Sequence, residues 1–303
     1  MWLFFTLATT LLWGVAELFY KKGSHEDRKY DHLRVCVLVG AVMGIHAIFT
    51  LLTSDIAYNP MNLIAYLPVS LCYIVSMACS FFGIRFIEES LADPIENTSG
   101  AMCSIMCVLF LGDKISLPVW IAIAIIVIGI IGVTQTEKSA EVNRSQKLGK
   151  KLATVAFLMP FCYAFIDAVG CVLDIFFLEM ETSPLIGITE ENIELVANVS
   201  YELTFAIVGL ILFIFMKVKG VKFELPKQGD KIIAAVCETA GQLTYVYAMS
   251  GNGAIAAPIL SSVCVVSLLL SRIFLKEKLT KKQYVFITII IVGILMLAVL
   301  EGE

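Results

Sequence analysis

The sequence has little charge, since only 16% of its 303 residues are Asp, Glu, Lys or Arg. Soluble domains carry about 25% charged residues. Apolar residues replace the missing charge and reach 59%, against about 45–50% in a typical soluble domain. This composition excludes a disordered or coiled-coil chain and favours a protein whose solvent is lipid.

Signatures of catalysis and of bound metal are also missing from the sequence. It contains no P-loop, GxSxG, HExxH or CxxC pattern, and His25, His32 and His46 do not have the spacing of a metal site. The nine cysteines all lie in apolar runs, which favours buried thiols over a disulfide framework. The net charge of −4 argues against nucleic acid as a partner. We therefore predict no enzyme, no cofactor and no metal site.

Ten apolar segments are long enough to cross a membrane, which takes about 20 mostly apolar residues. The segments are 2–20, 33–53, 60–88, 91–112, 117–136, 152–180, 193–216, 231–250, 254–275 and 283–300. Helices are predicted because each backbone group in lipid must find its partner within its own segment.

The basic residues lie almost entirely on one side of the predicted membrane. Of the 22 Lys and Arg residues, Lys114 alone falls in the second of the two alternating sets of connections. Cytoplasmic loops carry the excess of Lys and Arg. We therefore predict a multi-pass protein of the plasma membrane with both termini outside the cell.

The two halves of the chain match each other at a constant offset of 164 residues, which pairs Pro94 with Pro258 and Gly129 with Gly293. Each half holds five predicted spans. Because five is odd, the second half enters the membrane in the opposite orientation. Inverted repeats of this kind are a transporter architecture, with the binding site at the repeat interface near the midplane.

The predicted fold is an all-α integral membrane protein of ten transmembrane helices in two inverted five-helix repeats. The repeats are predicted at 1–136 and 152–300, with a cytoplasmic linker at 137–151. The Gly40-x-x-x-Gly44 pattern on the second span predicts close helix packing within the chain. A homodimer is left open.

The chain resembles the drug/metabolite transporter superfamily, EamA type. The resemblance is carried by the Trp13-Gly14 pair, by the openings of the fourth span at 92–95 and the ninth span at 256–259, and by the short acidic hairpins that follow those spans. It implies a central cavity lined by the first, third, fourth, sixth, eighth and ninth helices. The segment 16–23 is also similar to the first helix of small multidrug resistance exporters, in which an intramembrane Glu binds protons or a cationic drug.

Ionisable residues at membrane depth cost at least about 2.5–3.5 kcal/mol on insertion scales and are therefore site candidates. We predict a substrate- and proton-binding site from four acids, an amide and three aromatic faces that suit an organic cation. Its residues are Glu17, Glu96, Asp167, Glu238, Gln242, Trp13, Tyr163 and Tyr245. No Lys or Arg lies in a predicted helix interior, which disfavours phosphorylated substrates.

Other polar residues of the spans are given structural interpretations. Glu202 is not included in the site, and His46 is predicted to be a hydrogen-bonded packing residue. Asp174 is predicted at the outer end of its helix. The stripe formed by Tyr66, Ser70, Tyr73 and Met77 is predicted to be helix packing.

The sequence thus predicts a secondary active transporter that moves a small organic metabolite or drug-like cation by alternating access, with proton coupling. Two alternatives from the same superfamily stay open: a neutral amino-acid or metabolite exporter, and a flippase for lipid-linked substrates. A membrane enzyme or receptor would need a dense polar cluster or a soluble domain, and the sequence has neither.

Overall fold

A computed structural model describes residues 1–25, 28, 30–86, 92, 95–135, 150–274 and 280–300. Within these ranges the chain is helical and has no strand. Its α-helices are α1 (Trp2–Gly23), α2 (Asp31–Thr53), α3 (Met61–Ala65), α4 (Leu67–Gly83), α5 (Ser99–Met106), α6 (Leu117–Gln135), α7 (Lys150–Leu178), α8 (Ile193–Val218), α9 (Gly229–Leu260), α10 (Val263–Phe274) and α11 (Lys281–Leu300). A π-helical stretch, Cys107–Leu111, continues α5, and a 3₁₀ turn, Leu225–Lys227, precedes α9.

Four of the described helices are long and apolar enough to span a membrane: α1, α2, α8 and the Thr154–Leu178 part of α7. A fifth span is formed if α9 and α10, which meet at a bend of 47°, are taken together. Helices α4 and α6 and the α5 segment are apolar but shorter. The predicted all-helical membrane fold is confirmed at this level, and the count of ten spans stays a prediction.

The eighth and ninth predicted spans are joined more closely than the sequence indicates. Helix α9 runs through both 231–250 and the start of 254–275, and its backbone is non-helical at Asn252 (φ −165°, ψ 71°). The chain then turns at Ser261 and Ser262 before α10 begins. The hydropathy minimum near 251–253 therefore marks a kink inside a helix, and Asn252 can interrupt the hydrogen-bond ladder there.

The helices pack in antiparallel partners, α1 with α9, α2 with α8, α4 with α7, and α6 with α11. Two glycines of α2 allow its close contact with α8. A Cβ on Gly40 would lie 2.5 Å from the carbonyl oxygen of Phe205, and one on Gly44 would lie 2.8 Å from the Cβ of Ala206. The predicted packing of Gly40 and Gly44 within the chain is confirmed.

Helices α6 and α11 contact each other through reciprocal glycines. A Cβ on Gly129 would lie 2.5 Å from Ile290 Cγ1, and one on Gly293 would lie 2.7 Å from Ile126 Cγ1. Both glycines thus let the partner backbone approach closely. These two helices, with the end of α9 and part of α10, form a hydrophobic cluster separate from the main core.

One end of the bundle is held by a buried charged cluster of Asp31, Arg34 and Lys231. The Lys231 ammonium lies 3.4 Å from Asp31 Oδ2 and donates to the carbonyl of Gly23 at 2.6 Å, while Arg34 Nη1 lies 3.2 Å from Asp31 Oδ1. The cluster joins the last turn of α1 to the first turns of α2 and α9. It therefore holds α1, α2 and α9 together at the end of the bundle where α9 begins.

The opposite end is marked by contacts of the α9 kink. A Cβ on Gly251 would collide with Trp2 at the start of α1, and one on Gly253 would collide with Ile175 near the end of α7. The end of α7 and the start of α1 therefore lie about 20 residues along α9 from Lys231.

Candidate functional site

All eight residues of the predicted site line one cavity of about 110 Å³ between the helices. Helix α1 contributes Trp13 and Glu17, α7 contributes Tyr163 and Asp167, α9 contributes Glu238, Gln242 and Tyr245, and Glu96 lies just before α5. The structure thus brings together side chains from four regions of the chain. Their roles in binding stay a prediction.

The charge of this cavity has one sign. Its carboxylates are Glu17, Glu96, Asp167 and Glu238, and among the described residues that line it there is no lysine, arginine or histidine. Charged groups that are buried need a partner of opposite charge or several hydrogen bonds. The described lining therefore supplies negative side-chain charge and no positive side-chain charge.

Contacts between α1 and α9 hold Glu238 in place. The Tyr20 hydroxyl donates to Glu238 Oε2 at 3.5 Å, and the Trp13 indole N–H donates to the Glu238 backbone carbonyl at 3.4 Å. One turn further along α9, a Cβ on Gly241 would collide with the Trp13 ring. The glycine therefore lets the Trp13 indole approach the backbone of α9 near Glu238.

Small polar groups surround Asp167. Ser76, Ser99 and Tyr163 lie within hydrogen-bonding reach of its carboxylate, and the Cys171 thiol lies 3.9 Å from its Oδ2. These partners come from α4, α5 and α7 itself. Asp167 can therefore accept several hydrogen bonds and still face the cavity.

Aromatic rings form one wall of the cavity. The ring centroids of Trp13 and Tyr245 lie 5.1 Å apart, those of Tyr245 and Tyr73 lie 5.9 Å apart, and those of Tyr73 and Tyr201 lie 6.0 Å apart. Indole and phenol faces attract a cation that lies within about 6 Å of the ring centre. The wall and the carboxylates therefore favour the same class of ligand.

Several residues of this region are not among those predicted from the sequence. Tyr73 and Met77, which belong to the stripe predicted to be helix packing, also line the cavity. Tyr20 and Tyr201 also line it. Tyr20 could have been predicted, because its helical spacing from Trp13 and Glu17 places it on the same face of α1. No pattern around Tyr201 indicates which neighbour it faces.

Asp174 lies four residues before the end of α7, in keeping with the predicted helix end, but the sequence did not indicate that it is enclosed. The structure buries it completely, at 0% exposure. Its carboxylate accepts hydrogen bonds from the hydroxyls of Tyr66 and Tyr73. Counting residues from a helix end measures depth along the membrane, and it cannot tell a side chain facing lipid from one enclosed by neighbouring helices.

A further buried acid lies away from the cavity. Glu202 on α8 contacts His46 on α2, with both carboxylate oxygens 2.8 Å from Nδ1. His46 is therefore hydrogen-bonded, as predicted. Neither residue is among those that line the cavity.

The donors for a metal ion do not come together in the part of the chain that the structure describes. No group of three or more His, Cys, Asp or Glu side chains there has the geometry to hold a metal ion.

The fold and the cavity together define a class of protein: a helical membrane transporter, with a polar site enclosed between apolar helices. The chain belongs to the EamA-like transporter family, whose model matches residues 1–135 and 182–299. This family is part of the drug/metabolite transporter superfamily, so the resemblance noted from the sequence is confirmed. Members of the family are transporters and not enzymes.

Two further comparisons found similar proteins. An uncharacterized protein of Methanocaldococcus jannaschii is 35% identical over 97 residues, which are 31% of this chain and 71% of that protein. A solved crystal structure of a protein has the same fold with a TM-score of 0.68, at 11% identity, over 99% of this chain and 97% of that one.

Proposed function

We propose that this protein is a secondary active transporter that moves a small organic cation across the plasma membrane by alternating access, coupled to protons. One observation carries the proposal: four carboxylates and an aromatic wall share a cavity that has no basic side chain among its described lining residues. A carboxyl group can hold a proton or a cation, but not both at once. Exchange of the two at one group would couple their movements.

The size of the cavity supports a small substrate. Pockets for drug-sized ligands measure about 300–1,000 Å³, whereas this cavity measures about 110 Å³. A small metabolic amine therefore fits the cavity better than a drug-sized cation in the conformation described.

We further propose ten spans in two inverted repeats, at 1–136 and 152–300, with both termini outside the cell. The contacts of α6 and α11 support the repeat, because Gly129 and Ile126 of the first half correspond to Gly293 and Ile290 of the second at the offset of 164 residues. Gly129 contacts Ile290, and its equivalent Gly293 contacts Ile126, the equivalent of Ile290. An interface in which residue i contacts j while the equivalent of j contacts the equivalent of i is the mark of a two-fold axis.

Uptake into proteoliposomes under a pH gradient tests the function. Radiolabelled methylammonium and tetramethylammonium represent cations, alanine represents zwitterions, and a hexose phosphate represents anions. We expect uptake of a cation that depends on the pH gradient and falls at least about tenfold in Glu238→Gln, since one lost charge-assisted contact of about 1.5–3 kcal/mol corresponds to that factor or more.

Glu202→Gln is the matched control, since Glu202 is a buried acid of the same bundle that does not line the cavity. Its uptake is expected to stay close to that of the unmodified protein. If Glu17→Gln, Glu96→Gln and Glu238→Gln each leave pH-dependent uptake unchanged, the proposal fails. Selective uptake of alanine would favour the amino-acid exporter instead.

A further inference from the structure

Asp174 is an enclosed acid that the proposed substrate cavity does not use. It is absent from the residues that line the cavity, and its side chain is fully buried. Its Oδ1 accepts from the Tyr66 hydroxyl and its Oδ2 accepts from the Tyr73 hydroxyl, the latter at 3.4 Å. An ionised carboxylate in such surroundings is costly unless it is paired or strongly hydrogen-bonded.

The groups that face Asp174 are weak acids and not cations. Helix α4 and the residue before it supply the two tyrosines just named, and the other facing groups come from α8, α9 and α7 itself. Tyr201 and Tyr245 lie close enough to interact electrostatically with Asp174, and Cys171 and Asp167 lie one and two turns before it on α7. Helix α5 also packs on α7, where its Cys103 faces Cys171. Among the described residues, no lysine, arginine or histidine forms an ion pair with Asp174.

A continuous chain of donors and acceptors joins Asp174 to the cavity. The hydroxyl oxygens of Tyr73 and Tyr245 lie 2.5 Å apart, the Tyr245 hydroxyl donates to Cys171 Sγ at 3.4 Å, and that thiol lies 3.9 Å from Asp167 Oδ2. Hydroxyl and thiol groups both donate and accept, which is the property that passing a proton requires. We call Tyr73, Tyr245 and Cys171 the relay.

We propose that Asp174 is a proton-binding site of this transporter and that the relay couples it to Asp167 in the cavity. A proton that leaves Asp174 for Asp167 passes along the relay, where each group accepts one proton and gives up its own. After the transfer, each relay group carries the same number of protons as before. Asp174 is then ionised and Asp167 is protonated. The inference rests on the proposed function for its biological role, but proton binding and coupling are properties of the protein alone.

Asp174 and Glu202, the two enclosed acids, differ in their partners. Glu202 is paired with His46, so a protonatable base beside it can neutralise its charge. Asp174 has hydroxyl partners and can become neutral only by taking up a proton. The two acids therefore serve as test and control within one protein.

Infrared difference spectroscopy between pH values tests proton binding on the purified full chain in lipid nanodiscs. We expect a carboxylic acid carbonyl band that titrates with pH, is missing in Asp174→Asn and is retained in Glu202→Gln. If Asp174→Asn shows the same titrating bands as the unmodified protein, Asp174 binds no exchangeable proton and the inference is overturned.

A double-mutant cycle tests the relay. Asp167→Asn is expected to change the proton affinity of the Asp174 band at least about fivefold, the lower range of site-to-site coupling. In the Tyr73→Phe background, which keeps the ring and removes the hydroxyl, that change is expected to disappear. In the matched background Tyr58→Phe, whose hydroxyl bonds Ser200 instead, it should persist.

An equal change in all backgrounds, or no change in any, would overturn the coupling. None of these measurements requires a transported substrate. A failure of the cation in the uptake assay would therefore count against the proposed function and leave the result for Asp174 intact.

Discussion

The two ends of the helix bundle are closed by different chemistry. At the end where α9 begins, the charged cluster buries full charges, with Asp31 at 0% and Lys231 at 2% side-chain exposure. At the other end, Asp174 is enclosed by tyrosine hydroxyls. A buried ion pair that loses one partner leaves an uncompensated charge, which is far more costly than a lost neutral hydrogen bond.

This difference bears on how a transporter opens. Under the proposed alternating access, separating the charged cluster would return its buried charges to water, so we expect that end to open as a unit or to stay closed. The tyrosine end can be altered by moving one proton. The comparison predicts that equivalent substitutions at the two ends have unequal effects.

The largest effect is expected for Asp31→Asn. The change leaves Lys231 buried beside a neutral side chain, at a cost of about 3–5 kcal/mol in the free energy of unfolding. Chemical unfolding in detergent micelles measures it. The control is Lys22→Met, which removes the Lys22–Asp230 pair of 3.2 Å at 51% and 37% exposure and should cost at most about 1 kcal/mol. Equal losses in the two variants would show that the cluster is not buried as described.

A smaller effect is expected for Tyr66→Phe at the opposite end. The change removes one of the two hydroxyls that bind Asp174 and costs about 1–3 kcal/mol in the free energy of unfolding, the range for leaving a buried acceptor without a donor. Tyr58→Phe, which loses a half-exposed bond of 3.0 Å to Ser200, should cost less. A Tyr58→Phe loss as large as that of Tyr66→Phe would contradict the enclosure of Asp174.

The smallest effect is expected in the loop before α9, where Glu224 pairs with Lys227 at the surface. The hydrogen bond and the charge of Lys227 hold the pKa of Glu224 below its ordinary value. The folded-state pKa is the lower one, so the pair's contribution is complete above the ordinary pKa and is lost as the pH falls through the folded-state value. Glu224→Gln should leave the unfolding temperature at pH 7 unchanged, because exposed pairs are screened by water and salt. A clear drop would mean that this loop supports the charged cluster.

The apolar segments and the acidic site residues could be predicted from the sequence, but the contacts between helices could not. Hydropathy located the apolar segments, and the rarity of charge pointed to Glu17, Glu96, Asp167 and Glu238, because acids in apolar helices are few. Pairings between distant helices were out of reach. Nothing local to Lys231 indicates that it meets Asp31, 200 residues away in sequence, and nothing local to Asp174 indicates two tyrosines from another helix.

The aromatic wall shows the same limit. Tyr73 and Tyr66 lie on one helix stripe and both contact the enclosed acid, yet of the two Tyr73 alone lines the cavity. Helical spacing reports which residues share a face. It does not report which neighbour that face meets, and the neighbours here are decided by packing among four helices.

The matching glycine contacts of α6 and α11 have a consequence for the ancestry of the chain. A surface that makes the same contacts with its own equivalent needs no partner of different sequence, so a five-helix ancestor could have assembled from two oppositely inserted copies of itself. The archaeal relative, less than half as long as this chain, has the size of one such copy. In the proposed inverted repeat, joining two copies in one gene fixes their ratio and opposite orientations. Each half is then free to acquire its own polar residues, such as Asp31 in the first half and Asp174 in the second.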